Sequence, residues 1–155
     1  MNKVLLFVFS VLLISCDKSA VGTEDIEIKS GQSFGECFGA CTQILTLTSS
    51  NNEIEYLVKY LPTDGNYQDS TYYDVIDTES MNSILNEINT KKFFALESVY
   101  GCPDCADGGA EFIEITENGL SHRVTFEYGS SVKGIEDLIK ALRAEREKWG
   151  EELLP

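Results

Sequence analysis

The sequence predicts an α+β domain: one antiparallel sheet with helices packed on one face, a two-layer sandwich. Three observations predict it. Residues 43–60 and 111–128 each alternate apolar and polar side chains on both sides of a turn cluster, the pattern of a β-hairpin. Each hairpin is followed by apolar residues at helical spacing. The chain has 155 residues, 43% of them hydrophobic and 25% charged, which suits one domain rather than two.

The first element is an address. Lys3 is a short basic region, and residues 4–14 are apolar except for Ser10. A bilayer core needs about 20 apolar residues to span it, so this run fits the hydrophobic part of a signal peptide. Leu13-Ile14-Ser15-Cys16 follows and resembles a bacterial lipobox. The resemblance implies cleavage before Cys16, a diacylglyceryl thioether on its sulfur, and acylation of the freed amine, palmitate being a typical chain. Two or three chains anchor stably where one is marginal. The expected organisation is a signal peptide at 1–15, the lipidated Cys16 and a tether at 16–32, and one domain at 33–150. Asp17 resembles an inner-membrane retention signal, but that rule is not general, so inner and outer membrane both stay open. The polar tether is expected to carry at most one edge strand, at 26–29.

Within the domain, residues 43–48 place Leu45 and Leu47 on one face, and Ser49-Ser50-Asn51-Asn52 turns the chain. The return strand sets Ile54, Tyr56, Val58 and Tyr60 on one face. A polar loop over 62–70 and a third strand over 71–76 follow. Met81, Ile84, Leu85 and Ile88 predict a helix from Glu79, capped by Thr78. The short apolar run 93–96 reads as a strand. Residues 111–116 are a strand with Ile113 and Ile115 on one face. Asn118-Gly119 is the strongest two-residue hairpin signal, because both positions tolerate positive φ. The return strand puts His122, Val124, Phe126 and Tyr128 on the core face. Ser130 or Ser131 is expected to cap the last helix. Its apolar stripe is Ile135, Leu138, Ile139, Leu142 and Trp149, and residues 145–148 form its charged far face. The two hairpin–helix units can be overlaid over 17 residues, 44–60 on 112–128. An old duplication gives such an overlay, and so do any two hairpins of similar length.

Charge and composition exclude several functions. Twelve Lys+Arg face 26 Asp+Glu, a formal net charge of −14. Removing residues 1–15 takes away one basic side chain and no acidic one. Nucleic acid needs a basic footprint, and so does adhesion to anionic lipid through charge. One His excludes a multi-imidazole metal site. No Ser sits in a nucleophile elbow and no Gly-rich phosphate loop is present. His122 reads as a packed, hydrogen-bonded core residue.

The remaining cysteines carry the chemistry: Cys37-Phe38-Gly39-Ala40-Cys41 and Cys102-Pro103-Asp104-Cys105. They allow two disulfides, a Cys₄ zinc site, or reactive thiols. Export favours disulfides. CxxC suits a zinc knuckle but CxxxC suits it poorly. Cys102–Cys105 lacks the βαβ context of a thioredoxin motif, and Asp104 and Asp107 would raise a nearby thiol pKa. Three connectivities are open. Chain entropy favours crossing, because a loop of about 65 residues is worth roughly 4 kcal/mol.

The Cys-Phe-Gly-Ala-Cys segment, followed at once by an alternating strand, resembles a group of small uncharacterised bacterial envelope proteins. Many of these are lipoproteins of Bacteroidota type, and their domain of unknown function opens with Cys-Phe-Gly-x-Cys-Pro-x-Tyr. This chain departs from that pattern at Thr42 and Ile44, and the Cys102–Cys105 pair is not a feature of the group. The resemblance implies the fold, the compartment and local pairing, Cys37 with Cys41 and Cys102 with Cys105. It implies no activity.

Asp104, Asp107 and Glu111 form the one weak cation alternative; their spacing is not that of an EF-hand, and an acidic solvated loop explains them. No cofactor is expected. The leading functional expectation is a non-enzymatic, membrane-anchored envelope domain that binds a partner or ligand. The alternative is a thiol-redox or metal-binding envelope protein using the two Cys pairs.

Overall fold

A computed structural model of the chain describes residues 25–61 and 68–153. The lipobox with Cys16, the signal peptide, the start of the tether and residues 62–67 of the polar loop lie outside them. Among the described residues seven strands are present: β1 (Ile26–Ser33), β2 (Gly39–Thr48), β3 (Glu53–Leu61), β4 (Ser70–Val75), β5 (Val99–Tyr100), β6 (Ala110–Glu117) and β7 (Leu120–Glu127). They form one sheet in the order β4-β3-β2-β1-β6-β7-β5. Every neighbouring pair is antiparallel except β5 with β7. The helices are α1 (Thr78–Asn86), α2 (Thr90–Phe93) and α3 (Glu136–Leu153). The class is α+β.

Both hairpins form where the alternation places them. Leu45 pairs with Tyr56 and Leu47 with Ile54. Ile113 pairs with Val124 and Ile115 with His122. At the second turn Asn118 and Gly119 both take positive φ, 53° and 76°, as a tight hairpin requires. One face of the sheet carries Ile28, Leu45, Leu47, Ile54, Tyr56, Val58, Ile113, Ile115, Val124 and Phe126. All of them join Met81 and Ile84 of α1 and Leu138, Ile139, Leu142 and Trp149 of α3 in one core.

The main correction concerns β1. The segment expected as tether with a strand at its edge is the central strand, bonded to β2 on one side and β6 on the other. Residues 26–33, expected ahead of the domain, are therefore part of its sheet. The composition hides this because only Ile26 and Ile28 are large and apolar. The inward positions Ser30 and Gln32 meet an arginine rather than hydrocarbon: Arg146 of α3 donates to Ser30 Oγ at 2.7 Å and to Gln32 Oε1 at 3.2 Å. Gly31 faces the other side. A Cβ there would collide with the Phe112 ring, which covers it. The Arg123 guanidinium stacks on that ring at 4.0 Å and its Nε donates to Glu114 at 2.7 Å. The strand glycine is thus shielded by a cross-strand aromatic.

Smaller corrections share a cause, competition between polar caps. Asp77, not Thr78, caps α1: its carboxylate accepts from the Ser80 amide at 2.9 Å and the Ser80 hydroxyl at 2.7 Å. Those bonds hold the Asp77 carboxyl below its usual pKa. Residues 93–96 are not a strand. Asn89 accepts from the Lys92 amide and starts α2, and Phe93 is fully buried. A short apolar run does not distinguish the two states. α3 starts at Glu136 rather than just after Ser130 or Ser131. Ser130 instead donates to the Glu127 carbonyl, and burial of Val132 and Ile135 bends the intervening chain.

Candidate functional site

Both disulfide loops leave the same end of the sheet. Ser33, the last residue of β1, pairs with Thr42 of β2 and Ala110 of β6. The loop over 34–38 and the loop over 101–109 therefore emerge side by side. The chain from the tether enters at the opposite end, at Ile26, beside the turns at 49–52 and 118–119.

Cys37 is bonded to Cys41 and Cys102 to Cys105, with Cα separations of 5.6 and 5.5 Å. Both lie in the ordinary range for a disulfide. The pairing is local. The two strand ends are neighbours in space, but each loop doubles back on itself first. Gly39 takes φ +102°, which turns the short ring into β2. Phe34 packs edge-on against Tyr128 with centroids 4.8 Å apart, and a Cβ on Gly109 would strike the Phe34 ring.

The second loop is held by its carboxylates and backbone. Asp104 Oδ1 accepts from the Gly35 amide at 3.4 Å, which ties it to the first loop. The Asp104 amide donates to the Gly109 carbonyl at 3.0 Å. Glu127 accepts from the Cys102 amide at 2.8 Å. Asp104, Ala106 and Asp107 all have φ between 52° and 60°, a left-handed conformation that disfavours side chains with a Cβ.

Phe38, at the tip of the Cys37–Cys41 ring, is 92% exposed, and Leu61 nearby is 46% exposed. Gly35, Glu36, Cys37, Phe38 and Leu61 line a shallow hollow of about 440 Å³.

Asp104, Asp107 and Glu111 do not converge. Among the described residues no group of three or more His, Cys, Asp or Glu is placed to hold a metal ion. Glu111 turns inward between sheet and helix and is 2% exposed. Its carboxylate accepts from Arg143 Nε and Nη2 and from Arg146 Nη2. Burial lowers the Arg146 pKa despite the carboxylate beside it, whereas hydrogen bonding to Glu111 raises that of Arg143. Tyr56 adjoins this group and donates to Gln43 Oε1 at 2.7 Å.

Arg146 corrects the expectation that 145–148 is a solvated face: it is 2% exposed. Its signal was spacing, four residues after Leu142 and three before Trp149 on the apolar stripe. His122 is half-buried; its Nε2 donates to the Leu96 carbonyl at 3.1 Å, between the rings of Phe93 and Phe94.

A scan against protein-family models found no match, and a search of curated proteins found no relative. Among the described residues no helix is long and apolar enough to cross a membrane.

Proposed function

We propose that the chain is a lipid-anchored protein of a bacterial envelope, of the Bacteroidota type its Cys-Phe-Gly-Ala-Cys segment resembles. Its domain is a two-layer sandwich that acts by binding rather than by catalysis. The observation that carries this reading is the polarity of the sheet. The chain from Cys16 joins at the Ile26 end, and both disulfide loops occupy the other end. A domain held at one end and covalently stiffened at the other suits presentation of a recognition surface. That surface offers carboxylates engaged by backbone amides and an exposed aromatic, which is the chemistry of contact rather than of bond-making.

Two measurements test it. Wild-type protein should enter the detergent phase of a detergent partition, and Cys16→Ser should abolish both acylation and cleavage before residue 16. Mature wild-type protein in the aqueous phase ends the lipoprotein reading. Thiols counted in rapidly quenched envelopes separate binding from redox or metal chemistry. Zero free thiols without bound zinc supports binding; reactive thiols or stoichiometric zinc supports the alternative.

A further inference from the structure

The Cys37–Cys41 ring presents its aromatic residue outward. Phe38 is 92% exposed in a domain whose other phenylalanines all leave less surface to water, and Leu61 adds a second apolar group beside it. Isolated exposed hydrophobic residues are ordinary. This one differs because a disulfide fixes the loop that carries it, so little ordering entropy remains to be lost on contact. Its surroundings are also predominantly acidic. Glu36 lines the same hollow, and Asp104 is bonded to Gly35. Asp69 accepts from the Tyr60 amide next to Leu61, and Glu127 accepts from Cys102. Asp107 is exposed in the neighbouring loop. The basic side chains nearby are Lys59, exposed on β3, and Arg143, which is spent on Glu111.

We propose that the Cys37–Cys41 loop is a docking knob: Phe38, with Leu61 beside it, inserts into an apolar pocket of a partner protein whose rim carries Lys and Arg. This inference rests on the binding reading above. Charge decides the occupant. A second copy of the chain would set one acidic collar against another. A bilayer of anionic lipid would repel the same carboxylates, and β1 alone separates this end from the tether by roughly 26 Å, eight residues at about 3.3 Å each. A basic rim is attracted to the collar, and a central aromatic in a dry pocket is the common form of an interface anchor.

The test uses the full-length protein in its native envelope with a photocrosslinking phenylalanine analogue at position 61, leaving Phe38 intact. A control places the analogue at position 120, a 67%-exposed leucine beside the opposite end. The expected result is a discrete protein adduct from position 61. Phe38→Ala should cut its yield ~10-fold or more, and Glu36→Lys should cut it several-fold. The crosslinked peptide, once sequenced, should carry Lys or Arg beside apolar residues. An adduct unchanged by Phe38→Ala overturns the inference, as does an adduct with lipid or with a second copy. No adduct at 61 with a clear one at 120 overturns the knob and leaves the binding reading standing. No protein adduct from either position counts against both.

Discussion

Arg146 Nη2 meets Glu111 Oε1 at 2.8 Å, although 35 residues separate them in sequence. One group comes from α3 and the other from the second residue of β6, at the end that carries the disulfide loops, and both are 2% exposed. Arg143 holds the other carboxylate oxygen, so two guanidinium groups share one carboxylate in the layer between helix and sheet. Desolvating these ions is costly, and the geometry offsets that cost only while all partners are present. The cluster therefore fixes where α3 lies on the sheet more than it adds to stability.

An asymmetry follows. Glu111→Gln leaves two cations facing each other with no counter-ion and should destabilise the domain by about 3–5 kcal/mol. Arg143 is partly exposed, and Arg143→Gln leaves the Glu111–Arg146 pair intact, so about 1–2 kcal/mol is expected. Urea midpoints of the two variants check this. Equal losses would show that the carboxylate is not the hub.

Gly31 and Phe112 form a second testable pair. Gly31→Ala gives β1 a better strand residue but pushes the Phe112 ring off the open face. A net loss of about 1 kcal/mol is expected, since overpacking exceeds the entropy gained. In a Phe112→Ala background the same change should be neutral or stabilising. A double-mutant cycle measures the coupling, and additive effects would sink the idea that the ring shields the glycine.

The hairpins were legible because alternation and Asn118-Gly119 report backbone geometry directly. The α3 stripe was legible for the same reason, and Leu138, Ile139 and Leu142 are buried as its spacing requires. β1 was not, because its inward Ser30 and Gln32 are satisfied by an arginine 116 and 114 residues away. Alternation reports apolar burial and is silent about polar burial. α2 was missed because one Asn89 cap outweighed the strand preference of a short apolar run. At the candidate site the cysteine positions were plain from the sequence. Local pairing, which chain entropy opposed, agrees with what the Cys-Phe-Gly-Ala-Cys resemblance implied, whereas the 92% exposure of Phe38 is a property of loop geometry that no local pattern encodes.

Tyr56 predicts an alkaline limit. Burial pushes its phenol up to about 12, opposed by the nearby Arg146 charge and reinforced by Tyr60. The folded state thus favours the protonated phenol over the unfolded state, where the pKa is about 10. The stability this contributes is complete below pH 10 and lost as pH rises through about 12. Wild-type midpoints at pH 8 and 10 should lie close together, and the midpoint at pH 11 should fall clearly below them. Tyr56→Phe starts lower, having lost its bond to Gln43, but should fall less over the same range. Parallel slopes would assign the alkaline loss elsewhere.

The disulfides should behave as clamps on loops rather than as supports of the fold. Protein taken from the envelope should weigh about 4 Da less than its reduced form, two hydrogens per bridge. Proteolysis should give Cys37 joined to Cys41 and Cys102 joined to Cys105. Rings this small constrain the unfolded chain little, about 2 kcal/mol each on the entropy account. The core lies in the strands and helices, away from both rings: of the four cysteines only Cys41 is buried. Reduction should therefore lower the unfolding midpoint while leaving the sheet's amide protons protected. Faster exchange should be confined to 34–41 and 101–109, where the backbone bonds of Phe34 to Cys41 and Asp104 to Gly109 lose their covalent support. Loss of protection across β1, β2 and β6 on reduction would mean that the bridges hold the sheet itself. Recovery of peptides linking residues 37 or 41 to 102 or 105 would overturn local pairing, and with it the fixed loop on which Phe38 is displayed.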